Sequence, residues 1–192
     1  MKVILASSSK FRKQLLDKLN ISFKCISPDI DEKRLNNESV KDYVKRLSIE
    51  KATKIACSNQ KSIIIGSDEV ADLKGKIIGK PITKKNAKKQ LRMLSGNKVV
   101  FRTGLCVLNS ETGKYYASVN NYNIFFKDLD DNIINKYLEN DDVLNCAASI
   151  RIEGLAINLV RKMNGADPSI MGLPLIKLID YLARFNIDIL TK

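Results

Sequence analysis

The stretch Val3-Ile4-Leu5-Ala6-Ser7-Ser8-Ser9-Lys10-Phe11-Arg12-Lys13-Gln14-Leu15-Leu16-Asp17-Lys18-Leu19 decides the fold class. Val3 to Ala6 is a short apolar run, as a buried strand requires. Phe11, Leu15, Leu16 and Leu19 then recur at helical spacing, so the three serines fall between a strand and a helix N-terminus. The alternation continues outward. Val40, Tyr43, Val44, Leu47, Ala52 and Ile55 mark a longer helix, and Ser62-Ile63-Ile64-Ile65-Gly66 a buried strand with Ser67-Asp68-Glu69 just past its end. Ala87, Leu91 and Leu94 outline a third helix, stopped by Ser95-Gly96. Val99 to Leu108 and Tyr115 to Val119 predict a hairpin around Asn109-Ser110-Glu111-Thr112-Gly113, and Asn123 to Phe126 a further strand. Asp130 opens an amphipathic helix through Ile133, Ile134, Tyr137 and Leu138. Leu155 to Val160 predicts a strand, and Leu175, Leu178, Ile179 and Leu182 a closing helix after Pro174. Strands interleaved with helices, without repeat or linker, predict an α/β domain on one extended mixed sheet.

Composition narrows the chemistry. The 192 residues are 44% apolar, enough for one compact core with room for two lobes. No run approaches the roughly 20 apolar residues of a membrane span, and the N-terminal apolar run is too short for a signal peptide. The four cysteines, Cys25, Cys57, Cys106 and Cys146, are widely spaced, which suits small hydrophobes in a reducing cytoplasm better than a zinc site or disulfides. The net charge of +12 favours anionic partners. Its densest group, Lys84-Lys85 with Lys88-Lys89, fits the solvated face of one helix. Asp128, Asp130 and Asp131 read as a helix start, and Asp141-Asp142 as a solvent-facing turn. There is no histidine, which excludes a histidine base, a Ser-His-Asp triad and histidine metal ligands together.

Four stretches can carry chemistry. A helix N-terminus after Ser7-Ser8-Ser9 offers N–H groups and partial positive charge to a phosphate, with hydroxyls from Ser7 and Ser9 and a fork from Arg12. A serine there also serves as a simple cap. Asp68, at the C-terminal end of a buried strand, can hold a divalent ion or orient a water, or be a turn aspartate. In Gly79-Lys80-Pro81 the glycine and proline fix Lys80 at a defined place, although no Walker pattern surrounds it. Asp29-Ile30-Asp31-Glu32 is an acidic surface loop or, with Asp68, supplies the one or two carboxylates that Mg²⁺ takes beside substrate phosphates.

Together these stretches resemble the Maf family of nucleotide pyrophosphatases. The resemblance rests on Ile4-Leu5-Ala6-Ser7-Ser8-Ser9 with Arg12 and Leu15-Leu16, Asp29-Ile30-Asp31-Glu32, Glu50-Lys51-Ala52, Gly66-Ser67-Asp68, Gly79-Lys80-Pro81, Leu94-Ser95-Gly96 and Gly172-Leu173-Pro174-Leu175. Thr103-Gly104-Leu105-Cys106, Cys146-Ala147, Glu153-Gly154-Leu155 and Asp167-Pro168 look like its 7-methyl-GTP pyrophosphatase branch; the segments typical of the dTTP/UTP branch are absent. The resemblance implies one Maf-like domain over 1–192, two-lobed, on an elongated mixed sheet with a central cleft, similar to inosine triphosphatases. It implies hydrolysis of a nucleoside triphosphate, 7-methyl-GTP, to monophosphate and pyrophosphate in the cytoplasm, often by a homodimer. Asp68 would be the general base. Ser7, Ser9, Arg12, Lys51 and Lys80 would bind phosphate, and Glu32 with Asp68 would hold Mg²⁺ or Mn²⁺. Phe11, Glu69 and Glu153 would select the base: a π face and a carboxylate both favour a positively charged methylated guanine. Four departures bear on that selection. Glu69 stands where glutamine is expected and places a like charge beside Asp68, which would raise a carboxyl pKa. Ala148 and Ala156 replace glycines, and Ile152 replaces a small polar residue.

The basic charge also admits a nucleic-acid-binding protein, and the resemblance to a family named historically for septum formation admits a cell-division regulator with little catalysis. Few aromatics interleave with the basic residues and no helix-turn-helix or RNA-binding signature is present, which disfavours nucleic acid as the partner.

Overall fold

The structure is a computed structural model that describes residues 1–165 and 172–190. Its chain order is β1 (Lys2–Ala6), α1 (Lys10–Asp17), β2 (Phe23–Cys25), α2 (Val40–Ala56), β3 (Ser62–Leu73), β4 (Lys76–Ile78), α3 (Lys84–Leu94), β5 (Lys98–Asn109), β6 (Tyr115–Phe126), α4 (Asp131–Asn140), β7 (Val160–Gly165) and α5 (Leu175–Ala183). The strands form one mixed sheet in the order β2-β1-β3-β5-β6-β7, with β4 paired to β3. The fold is therefore α/β, as the sequence predicts. By its internal contacts the chain forms two compact units. One holds Met1–Glu69, Thr103–Asn120 and the C-terminal stretch; the other holds Val70–Arg102 and the residues from Asn121.

In the first unit β1 lies parallel to both β2 and β3, and its register on β3 runs from Lys2↔Ser62 to Ala6↔Gly66. Alternation along the strands sorts side chains onto two faces. Val3, Leu5, Ile63, Ile65, Leu105 and Val107 pack under α1 and α5, with Leu15, Leu16, Leu178 and Leu182. Ile4, Ala6, Ile64, Cys106 and Leu108 pack under α2, with Ala52 and Ile55. Two glycines set how close α2 comes. A Cβ on Gly66 would stand 2.1 Å from the Ser48 carbonyl oxygen, and one on Gly104 would stand 2.0 Å from that of Val44. Only backbone fits at either point.

In the second unit β3 turns at Lys74-Gly75 and returns as antiparallel β4, paired from Leu73↔Lys76 to Ala71↔Ile78. Both turn residues have positive φ (53° and 87°), the backbone of a tight hairpin, and Asp72 Oδ1 accepts the Gly75 N–H at 2.7 Å. Helices α3 and α4 bury Ala87, Leu91, Leu94, Ile134, Tyr137 and Leu138. Thr83 and Asp130 cap them by accepting the N–H groups of Asn86 and Ile133. Lys84, Lys85 and Lys89 are exposed along α3 and Lys88 is paired with Asp131, so this basic group is the solvated face that its spacing predicts.

Several expectations are corrected. Asn123 to Phe126 is the end of β6, not a separate strand. Leu155–Leu159 is a 3₁₀ turn, and the strand begins at Val160. That apolar run carries period-three burial, with Ala156 and Leu159 inside and Leu155 and Ile157 exposed. Asp141 does not face solvent: its side chain is 3% exposed, pairs with Arg151 at 3.0 Å and accepts the Leu155 N–H. Cys25 and Cys57 are exposed rather than core residues. No helix among the described residues is long and apolar enough to cross a membrane.

Candidate active site

Asp68 lies inside β3, not past its end. What ends there is its neighbour: the last β1–β3 partners are Ala6 and Gly66, so Asp68 and Glu69 extend beyond the protection of β1. The polar triad Ser67-Asp68-Glu69 stays in strand conformation because each side chain finds a partner on its own face.

On the face covered by α2, the Lys51 ammonium lies 2.6 Å from Asp68 Oδ1 and 2.7 Å from Glu32 Oε1. Lys51 is 6% exposed and Asp68 8%, whereas the Glu32 side chain is 55% exposed, so the cluster opens to solvent on the Glu32 side. Gly66, one residue from Asp68's neighbour Ser67, lets α2 descend far enough for Lys51 to reach. The Glu32 loop is tied to the same helix, since Tyr43 Oη donates to the Glu32 carbonyl (2.8 Å) and Arg46 Nη2 to that of Lys33 (3.0 Å). Arg46 also forks onto Glu38 at 2.7 and 2.9 Å and holds the Glu38 carboxyl below the usual range.

On the other face Ser7 is the first residue after β1. Its Oγ accepts the Ser9 N–H (3.1 Å) and Arg12 Nη1 (3.4 Å). Ser9 caps α1, accepting the Arg12 N–H at 3.4 Å, so it fills the structural role that its sequence position allowed. Arg12 Nε donates to the Gly172 carbonyl at 2.9 Å. Ser67 Oγ lies 2.7 Å from that same carbonyl and 2.8 Å from that of Gly104, with one proton for both. Gly172 has φ +82°, and a Cβ there would stand 3.1 Å from Arg12 Nε. This glycine therefore combines a left-handed backbone with contact to the guanidinium. Phe11, in the same helix turn as Arg12, is 40% exposed.

Glu69 Oε2 accepts from Thr103 Oγ1 at 2.6 Å. Burial pushes the Glu69 carboxyl up to about 7, and the Asp68 charge adds to this, while Thr103, Arg12 and the Gly172 N–H oppose it. The like charge foreseen from sequence is thus the lesser cause, and desolvation leads. The consequence for stability has a definite sign. A carboxyl whose pKa is raised on folding contributes stability at pH below about 4.5, and loses it as pH rises through about 7. Glu69→Gln is expected to match wild type in thermal unfolding near pH 5 and to melt higher near pH 8. A gap independent of pH would show that Glu69 ionises as in water.

A family model described as Maf-like protein matches residues 2–185. A protein of Pseudoalteromonas translucida (strain TAC 125) named 7-methyl-GTP pyrophosphatase is 46% identical over 190 residues, covering 98% of this chain and 94% of that protein. One of the same name from Pseudomonas aeruginosa is 43% identical, covering 97% of this chain and 98% of its own length.

The chain belongs to the Maf family.

Among solved structures, the Staphylococcus aureus Ham1 protein overlaps 67% of this Maf chain and 73% of its own, at a TM-score of 0.47 and 15% identity. Of the residues that the sequence singles out, Ser7, Ser9, Phe11, Arg12, Glu32, Lys51, Asp68 and Glu69 all belong to the first unit. Their contacts form the two groups just described, one on each face of β3. Lys80 and Glu153 belong to the second unit. Lys80 is exposed in the segment after β4, and Glu153 Oε1 lies 3.9 Å from Arg151 Nε. Ala148, where the resemblance expects glycine, keeps a left-handed backbone with φ +55° and is fully buried. Asp167-Pro168 lies outside the described residues. Sequence reasoning missed Tyr43, Arg46 and Glu38, which hold the Glu32 loop, and Thr103, which holds Glu69. Arg46 with Glu50 at the i, i+4 spacing was the one local signal available.

Proposed function

We propose that this Maf-family chain is a nucleoside triphosphate pyrophosphatase that converts 7-methyl-GTP to its monophosphate and pyrophosphate. The observation that carries the reading is the ammonium of Lys51 shared between Asp68 and Glu32, in a chain whose relatives bear that enzyme's name. Water attacks the α-phosphorus, its proton passes to the Asp68 carboxylate, and the bond to the bridging oxygen breaks so that pyrophosphate leaves with the electron pair. Lys51, beside Asp68, offsets the charge that develops on the departing oxygens, together with Arg12, which lies on the opposite face of β3 yet near enough to act on the Glu69 carboxyl. Ser7 and the first-turn N–H groups of α1 add donors, because a helix start has no internal acceptors for them. The family resemblance adds Lys80 as a further phosphate ligand and Phe11, Glu69 and Glu153 as the residues that select the base.

Glu32 and Asp68 fit a divalent cation. Both are hard oxygen donors, on either side of the Lys51 ammonium, so an ion held between them would displace that ammonium toward the substrate phosphates. Two carboxylates would hold Mg²⁺ or Mn²⁺ together with substrate phosphates, although no group of three or more Asp, Glu, Cys or His side chains suited to a metal is present among the described residues. When bound, the ion neutralises phosphate charge and orients the triphosphate. Free thiols at exposed Cys25 and Cys57 favour the reducing cytoplasm as the enzyme's location.

The test is a panel of standard and 7-methylated nucleoside triphosphates with Mg²⁺ or Mn²⁺, monitoring pyrophosphate and orthophosphate separately. Pyrophosphate from 7-methyl-GTP is expected at about tenfold or higher kcat/KM than from GTP, in the range one well-made base contact supplies, and EDTA is expected to abolish it. Orthophosphate as the product, or equal turnover of all bases, would overturn the assignment.

A further inference from the structure

The segment carrying Lys80 is held at every turn. The Gly79 carbonyl, immediately before the lysine, accepts two hydrogen bonds, from the Ala148 N–H at 3.1 Å and from Gln90 Nε2 at 3.0 Å. Gln90 lies on α3, and its other amide atom, Oε1, accepts from Ser149 Oγ at 2.6 Å. The Gly79 carbonyl, which can only accept, fixes the amide's orientation: the NH₂ must face it, and Oε1 is left to accept from the Ser149 hydroxyl. After the lysine, the Pro81 carbonyl accepts from Asn86 Nδ2 at 3.0 Å and the Ile82 N–H donates to Leu144 at 3.2 Å. The backbone on both sides is strained. Ile82 is β-branched yet has φ +65°, and Ala148 and Ser149 sit consecutively at φ +55° and +60°. Residues with a Cβ avoid this region, so the surrounding contacts must impose it. Ser149 is fully buried, and its carbonyl in turn accepts from Tyr137 Oη at 3.1 Å. Lys80 itself is exposed, so these backbone contacts fix where its side chain starts.

We propose that Gln90 is a positioning residue for Lys80: its amide clamps the Gly79 carbonyl to the strained Ala148-Ser149 turn and thereby fixes where the lysine side chain starts. The proposal rests on Lys80 binding substrate phosphate, as given above. Gln90 touches no substrate in this account; it acts through the lysine. An ammonium on a four-carbon stem serves a triphosphate only if its root is fixed, because small misplacements in a polar site are costly in rate.

A double-mutant cycle with pyrophosphate release as readout tests this. Gln90→Met keeps the length and helix propensity and removes both hydrogen bonds. It is expected to lower kcat/KM by between about 10- and 100-fold, with most of the loss in kcat. In a Lys80→Ala background the same substitution is expected to change little, since its effect passes through the lysine. Gln90→Glu sets a carboxylate against the Gly79 carbonyl, so its activity relative to wild type should recover as pH falls and the group protonates into a donor. Ser149→Ala, which spares the Gly79 bond, should give a smaller loss in the same direction. An unchanged Gln90→Met enzyme, or an equal loss in both backgrounds, would overturn the positioning role. Near-wild-type activity in Lys80→Ala alone would instead overturn the phosphate role of Lys80, and the clamp's purpose with it.

Discussion

Asp68→Asn is expected to lower pyrophosphate release by about 10²- to 10⁴-fold, the range that a positioned general base contributes. The substitution keeps size, shape and one oxygen toward Lys51, and removes only the capacity to take a proton and one negative charge. Folding should survive. Stranding one member of a buried ion pair costs about 3–5 kcal/mol where nothing else can accept it, but here Glu32 stands 2.7 Å from the same ammonium and is open to water. The loss of stability should therefore fall below that range, while activity collapses. Binding of the triphosphate should weaken less than turnover, because Arg12 and Lys51 remain and Glu32 still offers a carboxylate to the metal. A folded Asp68→Asn enzyme that turns over at the wild-type rate would make the Lys51–Asp68 pair a packing feature of α2 on β3. The base would then have to be sought elsewhere, with no histidine to offer.

The sequence carries the elements whose causes are local. Ser9 caps α1, Thr83 caps α3 and Asp130 caps α4, each followed by apolar residues at helical spacing, so those starts are legible without tertiary information. β3 shows the limit. Its polar Ser67, Asp68 and Glu69 read as a strand end because nothing nearby in sequence satisfies them. The partners come from Gly172, Lys51 and Thr103, far along the chain. The short β2, with Lys24 at its centre, has no alternation to detect, and its existence depends on β1 beside it. The Leu155–Leu159 run fails for a related reason: four apolar residues in five suit either a strand or a buried turn, and burial every third residue decides. Of the residues proposed for the site, Arg12, Lys51 and Asp68 stand in ordered motifs, whereas Arg46 does not, because its contacts hold a loop that looks merely acidic.

The second large effect concerns a residue with no side chain. Gly66→Ala places a Cβ 2.1 Å from the Ser48 carbonyl oxygen and 2.9 Å from the Ala52 nitrogen, both backbone atoms of α2. Neither can yield by rotating a side chain, so the helix must lift from the sheet. Overpacking of this kind costs about 1–3 kcal/mol and sometimes more, which for a chain of this length lowers Tm by about 2–12 °C. The helix that lifts is the one that carries Lys51 against Asp68, where the contact is 2.6 Å. Activity should consequently fall even in the fraction that remains folded. Gly79→Ala provides the contrast: nothing lies within 4 Å of its added Cβ, and the change in stability should stay within about 0.5 kcal/mol. Gly66 would then owe its place to contact with α2 rather than to conformational freedom. If Gly66→Ala melts with wild type and turns over normally, α2 does not rest on β3 at that point, and the buried approach of Lys51 to Asp68 loses its support.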